Sequence, residues 1–237
     1  MRDGRHPLDN PVRESLEGHH RHLVRRHGTA ITYESEVSTF AAVEADGSTD
    51  DGRWEDMATL LGPGGLADMF SSTARPPTEW EPVFTLPGLQ FVHSGVAPMA
   101  TVAPTGTERV TLSAIDVPDM LGLVAATRPG PFFSRTHEMG TYLGLRRDGE
   151  LVAMAGERLH PPGWTEISAV CTAPDARGQG FAAHLINTLV GRIVARGERP
   201  FLHALEENRS ALELYRRLGF ETRASVVFQG FRVPPVV

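Results

Sequence analysis

The chain has 237 residues, 41% hydrophobic and 22% charged, an ordinary globular composition with length for one large or two modest domains. A net charge of −6 excludes the basic excess of a general nucleic-acid binder, and a single cysteine excludes an internal disulfide framework. No run approaches the roughly 18 apolar residues of a membrane helix, and Met1 to His6 leads into no apolar stretch, so neither a membrane span nor a signal peptide is expected and the expected location is cytoplasmic. All 23 Lys and Arg positions are arginine, which points to a compositional bias of the coding sequence.

Taken in order, Asn10-Pro11 is a helix start, an N-cap followed by proline at the first helical position. Val12, Leu16, Leu23 and Val24 give a partial apolar face, and the helix is expected to end near Gly28. His19 and His22 are three apart and could share a metal on that face. No carboxylate or cysteine completes a ligand set, so a solvated basic face beside Arg21, Arg25 and Arg26, with no metal, is the expectation. Thr29 to Tyr33 reads as a strand, Phe40 to Glu44 as a second short element, and Asp46 to Gly52 as an exposed acidic loop. Trp54 to Leu61 is a helix closed by Gly62-Pro63-Gly64-Gly65. Leu66 to Phe70 is a short strand or helix, Ser71 to Pro87 a proline-rich segment held down by Trp80 and Phe84, and Leu89 to His93 a strand.

The stretch from Val96 to Thr107, with Pro98, Pro104 and Gly106, reads as a linker, dividing the chain into residues 1–103 and 104–237. Arg109 to Ile115 alternates as a strand, and a helix follows from Asp116 to about Ala126. After Pro129-Gly130-Pro131 and a short element from Phe132 to His137, two strands flank Asp148-Gly149, a strong hairpin signal. The β-branched run Glu166 to Thr172 is the next strand, stopped at Pro174-Asp175. Ala182, Leu185, Ile186, Leu189, Val190 and Ile193 then recur at helical spacing up to Gly197. Phe201 to Leu205 is a strand, Asn208 to Leu218 a helix with Gly219-Phe220 as its cap, and Ser225 to Val233 the closing strand. By pattern alone the chain is α+β with a mixed sheet.

The unit of strand, glycine-bearing loop and helix around Arg177-Gly178-Gln179-Gly180-Phe181-Ala182 is where chemistry concentrates. Glycines let the backbone approach a ligand, and the first N–H groups of the helix have no internal partner, so the loop suits a phosphate or pyrophosphate. It is neither a P-loop nor a dinucleotide fingerprint. It resembles the Arg/Gln-x-x-Gly-x-Gly/Ala signature of the GCN5-related N-acetyltransferases (GNAT), with Arg177, Gly180 and Ala182 in the defining positions. Asn208 to Phe220 resembles that family's closing N-x-x-A-x-x-x-Y-x-x-x-G-F segment, and Val170-Cys171-Thr172-Ala173-Pro174 is most similar to its FR47-like branch.

The resemblance covers about the C-terminal half. It implies a GNAT-like sheet, mixed and mostly antiparallel and flanked by helices, with the N-terminal half a degenerate second copy. It implies acetyl-CoA or another acyl-CoA as co-substrate, its pyrophosphate on Gly178, Gln179, Gly180, Phe181 and Ala182 beside Arg177, and its pantetheine arm along Val170, Cys171 and Thr172. Asn208 lies in the family's cofactor-side position and is also a natural N-cap. Tyr215 holds the general-acid position, where a phenol protonates the departing thiolate; its alternative is a core aromatic. An alkylamine needs a base: His203, five residues before Asn208, is the first candidate, with Glu166 next and then Glu206. Cys171 is expected to be buried and structural rather than an acyl carrier.

These implications make an N-acyltransferase the expected function, moving acetyl to a primary amine of a small or amino-acid-like molecule by direct attack. Two alternatives stand beside it: a protein that binds acyl-CoA without turnover, and an acetyltransferase acting on a protein N-terminus. No nucleic-acid, membrane or metal partner is expected, and the sequence leaves open a homodimer.

Overall fold

A computed structural model of the chain describes residues 6–43, 52–96, 98 and 102–235. The acidic loop expected at Asp46 to Gly52 lies, apart from Gly52, outside the described residues, as do parts of the expected linker. In order, the elements are α1 (Pro11–Glu17), β1 (Val24–His27), β2 (Ala30–Tyr33), β3 (Ala41–Ala42), α2 (Gly52–Leu61), β4 (Leu66–Phe70) and β5 (Glu81–His93). Then come β6 (Glu108–Leu112), α3 (Val117–Thr127), β7 (Tyr142–Arg147), β8 (Glu150–Glu157), β9 (Trp164–Thr172), α4 (Phe181–Ala195), β10 (Arg199–Leu205), α5 (Arg209–Arg217) and β11 (Phe220–Arg232).

The chain forms two compact units that are not consecutive halves. One holds residues 1–89, 160–162 and 224–237; the other holds 90–159 and 163–223. In the first unit β1, β2 and β3 form an antiparallel sheet, and β4 pairs antiparallel with the later part of β11, Leu66 opposite Arg232 and Phe70 opposite Phe228. Its core gathers Trp54, Met57 and Leu60 of α2 with Ala67, Met69, Trp80 and Phe231.

In the second unit β6, β7, β8 and β9 are successive antiparallel neighbours, and β10 lies parallel to β9. This is the expected α+β fold with a mixed, mostly antiparallel sheet. Both α3 and α4 pack on β8, whose residues 151–157 are buried throughout, as a strand covered on both faces must be. The turn between β7 and β8 has Asp148 and Gly149 at φ 51° and 87°, the left-handed pair that an Asp-Gly hairpin provides.

Three expectations need correction. The first helix ends at Glu17 rather than near Gly28, because residues 24–27 fold back as β1 on β2 around Gly28 (φ 50°). Of the apolar pair that continues the helical pattern, Leu23 ends a 3-10 turn and Val24 opens this hairpin. The strand expected at Leu89 to His93 begins at Glu81 and runs through Pro82 and Pro87. Proline content argued locally against an extension that pairing imposes. The closing strand likewise starts at Phe220 rather than Ser225. Among the described residues no helix is long and apolar enough to cross a membrane.

Gly156 faces Tyr142 across the β7–β8 ladder, where a Cβ would run into the buried ring. Gly156→Ala is therefore expected to destabilise by roughly 1–3 kcal/mol in denaturant titration, the usual range for overpacking. A change within experimental error would show that the ring has room to move.

Candidate active site

Strands β9 and β10 pair in parallel only over Trp164–Glu166 and Arg199–Phe201, although both continue, to Thr172 and Leu205. Beyond Glu166 and Phe201 no pairing between them is present among the described residues, so the facing edges part into a slot. On its other edge β9 stays on β8, but two steps of β8, from Met154 to Gly156, face three of β9, from Cys171 to Ser168. The extra residue is a β-bulge at Ala169, a non-glycine residue held at φ 51°. Val170, Cys171 and Thr172 follow this bulge along the slot.

At the slot's end lies the glycine-bearing loop. Gly178 and Gly180 have φ 77° and 78°, and a Cβ at either would meet nothing within 4 Å. The glycines are thus needed for backbone conformation, and the surface beside them is open. Gly180 is the N-cap of α4 and offers no side chain to the first turn, so the N–H groups of Phe181 and Ala182 have no capping partner. Arg177 Nε donates to the Thr172 carbonyl at 3.4 Å, and Gln179 Oε1 accepts from Arg147 at 2.5 Å. Arg147 also lies over the Phe181 ring, 5.2 Å from its centroid. This second cation beside the loop comes from the hairpin and carried no signal in the sequence.

At the paired end of β9, Glu166 is fully buried. Its carboxylate accepts from Arg158 Nε (2.8 Å) and Nη2 (2.7 Å), and from His203 Nδ1 (2.6 Å). Burial alone would raise its pKa, but the Arg158 charge and hydrogen bonds, with help from His203, hold it down to about 2. The His203 side chain is 1% exposed, and burial lowers its pKa against the pull of Glu166. Because a carboxylate can only accept, Nδ1 carries the proton and Nε2 is the acceptor. Nε2 meets the Gln90 amide nitrogen at 3.0 Å, and Gln90 Oε1 in turn accepts from Arg223 at 2.7 Å.

Tyr215, on α5, stands edge-on to Phe91 and Phe220 and feels the charges of Arg158 and Glu166. Burial pushes its phenol up to about 12, so it is protonated at neutral pH. Among the described residues its hydroxyl has no hydrogen-bond partner. A small cleft reaches Arg158 and is lined by Pro131, Phe132, Thr136, Tyr142 and Ser168 among others.

The structure therefore brings Glu166, His203 and Tyr215 into one electrostatic neighbourhood and adds Arg158, Gln90 and Arg223, which sequence reasoning missed. Asn208 caps α5, accepting from the Ala211 N–H at 3.2 Å and from Ser210 at 3.1 Å. Cys171 is buried, and burial raises its thiol to about 11, leaving it un-ionised. Glu206 is exposed after β10, outside this network.

Glu166→Gln leaves Arg158 without its counter-charge and is expected to cost about 3–5 kcal/mol of stability near neutral pH. Since the folded pKa lies below the ordinary glutamate value, the stabilisation is complete above about pH 5 and fades as pH falls toward 2. The wild-type and variant stability curves should converge over that interval; parallel curves would sink the assignment.

Residues 142–228 match the family model described as FR47-like protein. Over 83 residues the chain is 36% identical to the N-alpha-acetyltransferase RimI of Mycobacterium tuberculosis, a match to 34% of this chain and 51% of RimI. The chain thus spans about half the length of that curated relative. A GCN5-related N-acetyltransferase from Kribbella flavida, 19% identical with 95% of each chain covered and a TM-score of 0.64, shares the fold. A crystal structure of a protein described as a GNAT-family acetyltransferase, from Novosphingobium aromaticivorans, aligns with 98% of this chain and 100% of its own at 35% identity and a TM-score of 0.85. With a family member matched at that identity along nearly its whole length, the chain belongs to the GNAT family of acetyltransferases.

Proposed function

We propose that this protein transfers an acetyl group from acetyl-CoA to the primary amine of a small or amino-acid-like acceptor, by direct attack in a ternary complex. The observation that carries the reading is the parting of β9 from β10 where β9 runs toward the open glycine turn of α4. Such a slot takes an extended arm, and the turn takes the arm's anionic end. In this reading the N–H groups of residues 178–182 and the Arg177 side chain hold the pyrophosphate. Val170, Cys171 and Thr172 present backbone groups to the pantetheine arm and the acyl carbonyl, and an N–H there stabilises the oxyanion. Asn208 keeps the start of α5 ordered on the cofactor side.

In the chemical step the amine nitrogen bonds to the thioester carbon and gives its proton to His203 Nε2. The C–S bond then breaks, and the departing sulfur takes the proton of Tyr215 Oη. A carboxylate with a pKa of about 2 is a poor proton acceptor, so Glu166 acts through His203. It holds the Nδ1–H tautomer and offsets the imidazolium charge, as the acid does in a catalytic triad. The Gln90 amide covers Nε2, so the acceptor displaces it, and the cleft beside Tyr142 and Arg158 is the acceptor's approach. No metal takes part. The match to RimI favours one second reading, in which the acceptor is the α-amine of a protein N-terminus.

Calorimetry with acetyl-CoA tests the cofactor. Gly180→Glu places a side chain at φ 78° and a carboxylate at the helix N-terminus, and is expected to abolish binding. Equal binding by wild type and variant would remove the slot-and-turn assignment. Tyr215→Phe should lower kcat by about 100-fold while leaving acetyl-CoA affinity unchanged. The base must be unprotonated, and burial holds His203 below its ordinary value. The acid limb of kcat/KM should therefore fall only below about pH 6.5. Its disappearance in His203→Gln would identify the group; a limb that persists there would assign the base elsewhere.

A further inference from the structure

Three histidines outside the proposed transfer site converge in the first unit. His19 and His20 follow α1, and His160 comes from the short excursion 160–162 that belongs to the same unit. One ligand nitrogen of each lies within 4.8 Å of the others. The His19 and His160 rings are stacked at 4.4 Å, and His20 stands edge-on to both, at 5.3 Å from His19 and 5.1 Å from His160. His22, the partner that sequence spacing offered to His19, is exposed and outside this group.

We propose that His19, His20 and His160 form a binding site for a borderline divalent transition ion of the zinc or cobalt type. Imidazole nitrogen is the donor such ions favour, and three histidines with one open position is a recognised coordination set. Ligand nitrogens about 3.4 Å apart would surround an ion at zinc–nitrogen distances near 2.1 Å, so the three rings would draw together on an ion from their separation within 4.8 Å. His20 and His160 are buried, at 0% and 7% exposure. His19 is exposed, so the open position faces solvent.

The surroundings organise the set. His20 Nδ1 meets the buried Tyr33 hydroxyl at 2.8 Å, a polar contact that orients the ring. Ser15 anchors two of the three backbones: its carbonyl accepts from the His20 N–H at 2.8 Å, and its hydroxyl accepts from the His160 N–H at 2.9 Å. That hydroxyl is itself fixed on the Pro11 carbonyl at 2.6 Å, so the last turn of α1 is the frame of the site.

The test is calorimetry of Zn²⁺ alone with the full chain freed of any affinity tag, alongside the visible spectrum with Co²⁺. The wild type is expected to bind one equivalent, with a Co²⁺ band typical of four-coordinate nitrogen and oxygen ligands and no thiolate charge-transfer band. His19→Ala, at an exposed position that the fold does not need, should weaken binding at least tenfold, and His160→Gln should do the same. His22→Ala should leave it unchanged. No saturable binding by the wild type, or equal binding by wild type and His19→Ala, overturns the proposal.

Discussion

A carboxylate with no exposed surface has to be neutralised where it lies, and in this protein that requirement falls on Glu166. Its charge is met by Arg158 just beyond β8 and by His203 on β10. His203 then needs a donor at its second nitrogen, supplied by Gln90 of β5, and Gln90 needs one for its oxygen, supplied by Arg223 of β11. One buried charge thereby fixes side chains from four strands, with Arg158 from the turn after β8, in a single chain of donors and acceptors. No link can be reversed without placing donor against donor: a protonated His203 Nε2 would face the Gln90 NH₂, and turning that amide would set it against Arg223. The tautomer of the histidine is written into the network.

The same network lies at the last point where β9 and β10 remain paired. Polar bonding on one side of that point and strand separation on the other make a rigid end and an open end along one strand. The bulge at Ala169 adds to this, since a left-handed alanine costs about 1 kcal/mol and persists only where its surroundings hold it. In the proposed reaction, groups supported by a stiff sheet beside a backbone edge left unpaired would stand at the mouth of the slot.

Much of the frame was legible in the sequence because the deciding signals were local. Asp148-Gly149 sets its own turn, Gly180 its own left-handed cap, and Asn208 caps the helix that it precedes. What escaped was set by distance along the chain. Nothing near Arg158 announces a partner in Glu166, nor does anything near Gln90 announce His203. The parting of β9 from β10 is an absence of pairing, and no residue type encodes an absence. The first helix was misread for a related reason. Leu23 and Val24 satisfy helical spacing but are taken by a 3-10 turn and the hairpin after it, and period alone cannot tell these uses apart. Spacing along the chain sets His19 beside His22, whereas the ring that stacks on it, His160, arrives from a part of the chain that local spacing cannot reach.

The return of the chain to its first unit has a consequence for the order of assembly. Among the described residues strand β4 makes a single bridge to Phe40 and finds its ladder partner in residues 228–232, whereas the second unit's hairpin and its neighbouring strands find theirs close by in sequence. As the polypeptide emerges from a ribosome, β4 therefore waits for that ladder until residues 228–232 have been made. Closure of so long a loop is slow, and an open strand edge invites pairing with other chains in the meantime. The first unit cannot close its β4 ladder before residues 90–223, nearly all of them the second unit's, have been made.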